Sequence, residues 1–151
     1  MAINAEMIGR LEKQVGAALT PVVYNIEPGM IKRFVQATGD ANPSWQDDGC
    51  SWESLCGGAV APPGLVLTLG FIQAVEPLIS DPSLAVLHGS TELECMQPVR
   101  AGDVITVNAR ITSVRQRQGK SGLTVFLNIG LECVNQRQET AARCSQMLII
   151  Y

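Results

Sequence analysis

Histidine is almost missing from this chain: His88 stands alone among 151 residues. One imidazole and five cysteines without CxxC spacing (Cys50, Cys56, Cys95, Cys133, Cys144) supply no zinc ligand set, so no metal is expected. Lysine and arginine form no block, and the formal net charge is −3. So mild an acidic balance leaves no footprint for nucleic acid or for an anionic membrane surface. No apolar run is long enough to span a bilayer, because "GLVLTLGFIQAV" is broken by Gln73 and stopped by Glu76-Pro77. Charges are spread through the first twenty residues, so no secretory leader is expected. The odd cysteine count then reads as reduced thiols in a cytoplasmic protein. No G-x-S-x-G elbow offers an acyl-serine, and "GKSG" at 119–122 lacks the earlier glycine of a phosphate loop. Internal repeats and low-complexity segments are also missing.

What is present is enough for one domain over 1–151, with 46% hydrophobic residues. Met7, Ile8, Leu11, Val15 and Ala18 recur at helical spacing, which predicts an amphipathic helix over 5–18. "PVVYNI" is a short strand candidate. In "EPGMIKRFVQATG" Pro28 suits a first helical turn, Ile31, Phe34 and Val35 share a face, and Gly39 ends the helix. Asp40 to Pro63 is rich in Gly, Pro, Asp and Ser, which predicts a long ordered loop of the kind that carries function. "PPGLVLTLGFIQAVEPLI" is apolar on all sides from Leu65 to Val75 and predicts a buried helix. After Pro82 the pattern changes to four β-rich runs. Ile105, Val107, Ala109 and Ile111 fall on one face of the second, and Leu123, Val125, Leu127, Ile129 and Leu131 on one face of the third. "RAGD", "QGKSG" and "NQRQE" supply the turns. A buried helix followed by long antiparallel strands predicts an α+β fold with a sheet curled around that helix. Its exposed edges point to pairing with a second subunit.

The loop "FVQATGDANPSW", residues 34–45, places Asp40 and Asn42 just past Gly39. Further on stand "GGAVAPPGL" and "LHGSTELECMQPVRAGDVITVNARITSV". In that order the chain resembles the MaoC-like hydratases and dehydratases, and in particular their N-terminal, FAS1-like dehydratase branch, over roughly residues 24 to 151. The family's loop runs Gly-Asp-x-Asn-Pro-x-His; here it reads Gly39-Asp40-Ala41-Asn42-Pro43-Ser44-Trp45.

The resemblance implies the hot-dog fold and a lyase activity: (R)-specific hydration of a 2-enoyl thioester, or dehydration of a 3-hydroxyacyl thioester. The substrate would be carried on CoA or acyl carrier protein, with no cofactor besides the CoA or phosphopantetheine of the substrate itself. Such chemistry needs an acid–base group near the α and β carbons, a held water, and donors for the enolate oxygen. By resemblance Asp40 matches the catalytic carboxylate, Asn42 the orienting amide and Gly64 the oxyanion-hole glycine. Pro63 stands where active relatives often place a histidine. Trp45 falls on the catalytic histidine, which removes half the dyad, and a lone carboxylate is a weak base.

Each residue also has a plainer reading. Asp40 can be a loop carboxylate bonded to neighbouring N–H groups, and Trp45 a packing anchor rather than a wall for an acyl chain. His88 can be a satisfied structural residue rather than a pocket or partner contact. Arg100, Arg115 and Lys120 are candidates for a phosphopantetheine or nucleotide phosphate. Two functions remain open. The chain is either a hydratase/dehydratase subunit, in a homodimer or a heterodimer with a catalytically intact MaoC-like chain, or a non-catalytic acyl-thioester-binding or scaffold module. A thioesterase is disfavoured because "GGAVAPPGLVLTLG" lacks a carboxylate, and the fatty-acid-synthase His/Glu dehydratase because apolar residues fill those places.

Overall fold

The structure, a computed structural model, describes residues 3–45, 59–76, 84–120 and 122–151. Most of the long loop expected between Asp40 and Pro63, with Cys50 and Cys56, lies outside the described residues.

Helix α1 (Ala5–Lys13) is capped by Asn4, whose side chain accepts from the Met7 N–H at 2.8 Å. It buries Ile8 and Leu11. The expected helix over 5–18 is thus cut short. Beyond it the Gly16 N–H donates to Ile111 O (2.9 Å) and the Leu19 N–H to Ala109 O (2.9 Å), so this stretch runs along a strand instead. Val15, placed on the helix face by its spacing, is 41% exposed. Tertiary pairing with the sheet edge outweighs the helical period there.

Strand β1 (Val22–Asn25) leads into α2 (Pro28–Thr38), which begins with Pro28 in its first turn and buries Ile31 and Val35. Gly39 closes it in the left-handed region, φ 67°. A 3₁₀ turn, Pro43–Trp45, follows. The apolar segment is helical but divided into α3 (Pro63–Thr68) and α4 (Phe71–Val75). The break has a cause. Leu69 is extended and Gly70 left-handed at φ 73°; the Gly70 N–H donates to Tyr24 Oη (3.0 Å), and a Cβ at Gly70 would stand 2.5 Å from Val107 Cγ1. Close approach to the sheet, which hydrophobicity does not report, decides where this helix stops.

Strands β2 (Val86–Cys95), β3 (Val104–Gly119), β4 (Gly122–Val134) and β5 (Thr140–Ile150) join β1 in one antiparallel sheet of order β1-β3-β4-β5-β2. Alternation is clean. Ile105, Val107, Ile111, Val125, Leu127, Ile129, Leu148 and Ile150 are at most 2% exposed and form the inner face against the helices. The four long strands and the two expected inward faces are therefore present, with Leu123 only partly buried at the hairpin end. Between β4 and β5, buried Asn135 organises the turn. Its Oδ1 accepts from the Arg137 and Glu139 N–H groups, while its Nδ2 donates to Glu139 Oε2. At "RAGD", Asp103 accepts from the Arg100 N–H (2.8 Å) and from Gln136 Nε2 (2.9 Å), and its carbonyl accepts from the Ile26 N–H (2.8 Å). That turn ties three loops together.

Candidate functional site

Asp40 sits immediately beyond the C-terminus of α2, its N–H donating to Val35 O at 3.2 Å. A helix C-terminus is an unfavourable place for a carboxylate, since the dipole presents negative charge there. Two local donors offset this. Asp40 Oδ1 accepts from the Asn42 N–H at 3.0 Å, and Oδ2 accepts from Trp45 Nε1 at 2.8 Å. The 3₁₀ turn enables the second bond: the Trp45 N–H donates to Asn42 O (3.1 Å), which folds the indole back over Asp40. Trp45 thus stands in direct contact with the carboxylate. An indole N–H donates only, however, and has no lone pair to receive a proton. Both plainer readings of Asp40 and Trp45 describe real contacts here.

The other side of the indole packs on the core and lines a cleft of about 320 Å³ with Val60, Pro63, Val66, Cys95 and Ala142. Pro63 opens α3, and Gly64 follows it in the first turn. At Gly64 a Cβ would stand 3.0 Å from the Phe34 ring, so glycine lets α3 close on α2 just ahead of Asp40. The structure therefore brings Asp40, Asn42 and Trp45 together and sets Trp45 in one cleft with the start of α3.

His88 belongs elsewhere. It stacks on Phe71 of α4 (ring centroids 5.4 Å apart), and its Nε2 lies 2.6 Å from Thr91 Oγ1 and 3.2 Å from Ser90 O. Seven residues along β2, Cys95 reaches the cleft, so roughly 20 Å of strand separates the imidazole from it. Among the phosphate candidates, Arg100 is partly buried beside the cleft, paired with Val60 by a β-bridge, and its Nε has no partner among the described residues. Lys120 lines an open hollow at the β3–β4 tip with Arg117 and Phe126. Arg115 precedes that tip on β3. The tip is about 30 Å along β4 from the cleft end of the sheet.

Sequence reasoning gave three residues no part in the site. Tyr24 accepts from Gly70 and Phe34 meets Gly64. Gln146 is 2% exposed, donating through Nε2 to Leu67 O (3.1 Å) and Cys144 Sγ (3.3 Å). A glutamine in the inward register of Cys144, Leu148 and Ile150 was a readable signal; the other two pairings were not. The described cysteines are free thiols. Burial, then the neighbouring Cys144 and Cys95 and Glu132, push the Cys133 thiol up to about 12.

An antiparallel sheet curled over a central helical segment, entered through an Asp-containing loop, defines the hot-dog class. The chain belongs to the FAS1-like, dehydratase domain region family, whose model matches residues 13–144. It is 31% identical over 130 residues to a UPF0336 protein of Thermobifida fusca, covering 83% of this chain and 81% of that one. Solved structures share the fold. The HadBC (3R-hydroxyacyl-ACP dehydratase) complex from Mycobacterium tuberculosis superposes with TM-score 0.75 at 18% identity, covering 90% of this chain and 96% of that one. The (R)-hydratase PhaJ1 from Pseudomonas aeruginosa gives 0.68 at 17%, covering 89% and 79%.

Proposed function

We propose that this chain is a subunit of a hydratase/dehydratase acting on 2-enoyl or 3-hydroxyacyl thioesters of CoA or acyl carrier protein, and that a partner chain supplies the catalytic histidine. The observation that carries this is the 2.8 Å bond from Trp45 Nε1 to Asp40. It keeps the family's carboxylate in place and removes the group that would exchange a proton with it. Asp40 is held as an acceptor, and no second base stands beside it among the described residues. The family and the hydratase and dehydratase neighbours support the general kind, and the HadBC neighbour is itself a two-chain complex. In this reading the cleft beside Trp45 receives part of the acyl chain, while Arg100 faces the phosphate of its carrier.

The test is hydration of a short 2-enoyl-CoA, followed by loss of enoyl absorbance, with the chain alone and with a partner carrying an intact Gly-Asp-x-Asn-Pro-x-His loop. The expected result is turnover only in the complex, at a rate that exceeds the partner's own. Turnover by the chain alone that disappears in Asp40→Asn would overturn the division of labour. A second reading, an acyl-thioester-binding module, is favoured by the same locked carboxylate beside an apolar cleft. Saturable binding of the acyl-CoA without turnover in any partner's presence would select it.

A further inference from the structure

The net charge is −3, yet the stretch from Val104 to Leu131 carries Arg110, Arg115, Arg117 and Lys120 and no carboxylate. Three of these cations, Arg115, Arg117 and Lys120, crowd into the end of β3 and its turn into β4. All three are exposed, and none has an ion-pair partner among the described residues. Like charges so placed repel one another, and an anion between them would relieve that.

The pairing of β3 with β4 decides what these cations face. Arg115 stands opposite Phe126 and Arg117 opposite Thr124, in neighbouring rows about 7 Å apart. Val125 and Leu127 are fully buried on the inner face, so Phe126 and Thr124 lie with the arginines on the outer one. Phe126 keeps part of its surface in the open. Arg117, Gln118, Gly119, Lys120, Thr124 and Phe126 together line a hollow of about 570 Å³, the size of a small-molecule site. Each polar side chain of that lining can donate a hydrogen bond: a guanidinium, an amide, an ammonium and a hydroxyl. Arg115 flanks the ring from the next strand.

We propose that the β3–β4 tip is a nucleotide-binding site. Arg117 and Lys120 hold the phosphates, with Thr124 donating to a phosphate oxygen, and the base lies on the open face of Phe126. Inorganic phosphate would use the cations and leave the ring idle. An acidic protein surface would neutralise the cations without entering a hollow of this size. A nucleotide uses both features. Two sources present this chemistry, a free nucleotide and the adenosine phosphate end of CoA. The tip is about 30 Å along β4 from the cleft end of the sheet, so this site is separate from the cleft and does not rest on the function proposed for it.

Isothermal titration calorimetry on the full chain tests this with ADP, CoA, pyrophosphate and adenosine. ADP should bind saturably and weaken as salt is raised. Pyrophosphate should bind at least about fivefold more weakly, and adenosine not at all. Arg117→Gln and Lys120→Gln should each weaken ADP about tenfold, because each removes a charge-assisted contact. Phe126→Leu should weaken ADP about fivefold and leave pyrophosphate within about twofold. Far-UV circular dichroism checks that each variant is folded, and the four ligands on the wild type test the site without any variant. CoA tighter than ADP, and weakened by the same substitutions, supports the site with CoA as its source; ADP at least as tight supports it with a free nucleotide. No saturable binding of ADP or CoA, binding unmoved by Arg117→Gln and Lys120→Gln, or pyrophosphate as tight as ADP would overturn the proposal.

Discussion

Under the proposed division of labour, Trp45 keeps a geometry and discards a chemistry. Its N–H donates to Asp40, and its ring lines the cleft. Trp45→His should therefore bring Asp40-dependent hydration of a short 2-enoyl-CoA at least about a hundredfold above the wild-type background, the size of effect a positioned general base gives at its low end. No gain in Trp45→His, with the fold intact, would show that the loop lacks more than its base. Trp45→Phe keeps the ring and loses the donor, which should lower stability by about 1 kcal/mol in urea titrations. That Trp45 is a substitution at the histidine of the resembled loop motif was readable in the letters. The rescue of the carboxylate by that substitution was not, because nothing in the letters says that the 3₁₀ turn folds the indole back.

Cys133 makes a second prediction at this scale. Its thiol is raised from 9.0 to about 12 by burial, so the folded state holds a proton that the unfolded state releases above pH 9. The unfolded state then binds fewer protons, and stability falls as pH rises from about 9 towards 12. It is fully present below 9. Cys133→Val should remove part of that alkaline decline, measured as the difference between the two proteins' melting temperatures across this range.

Among elements, the strands were the most legible and the central helix the least. Alternation over β3 and β4 is a property of adjacent letters, and the expected faces are the buried ones. The division between α3 and α4 depends on Val107 and Tyr24, residues far away in sequence. Gly70→Ala forces a Cβ against Val107 in a left-handed backbone, so it should cost about 2–4 kcal/mol and lower the melting temperature by roughly 6–12 °C. Tyr24→Phe, which leaves the Gly70 N–H without its acceptor, should cost about 1–2 kcal/mol. A Gly70→Ala protein as stable as the wild type would mean that the break can move along the helix. The N-terminal helix was overextended for the same reason: Val15 and Leu19 keep the helical period yet run beside Ile111 and Ala109.

At the scale of the molecule, the family was legible from motif order while the use of each motif was not. "RAGD" carried the resemblance, and in the structure its Asp103 is a tie between loops. His88, the lone imidazole, rests on Phe71 instead of meeting Asp40. Both outcomes depend on which ends of the strands lie together, and register across four strands is invisible to local pattern.

The strand order also sets a timetable for folding. β3, β4 and β5 follow one another through short turns, so their pairing closes small loops and loses little chain entropy. β1 and β2 must each find a strand far along the chain, Asn25 beside Val104 and Cys95 beside Ala142. The meander should form in the rate-limiting step and the two edges should dock after it. Ile129→Val would then slow folding, whereas Val22→Ala or Leu93→Ala would chiefly quicken unfolding. An edge that arrives last is also the first to leave. Among the described residues, β1 and β2 have no further strand beyond them, so a partner would find the backbone open there.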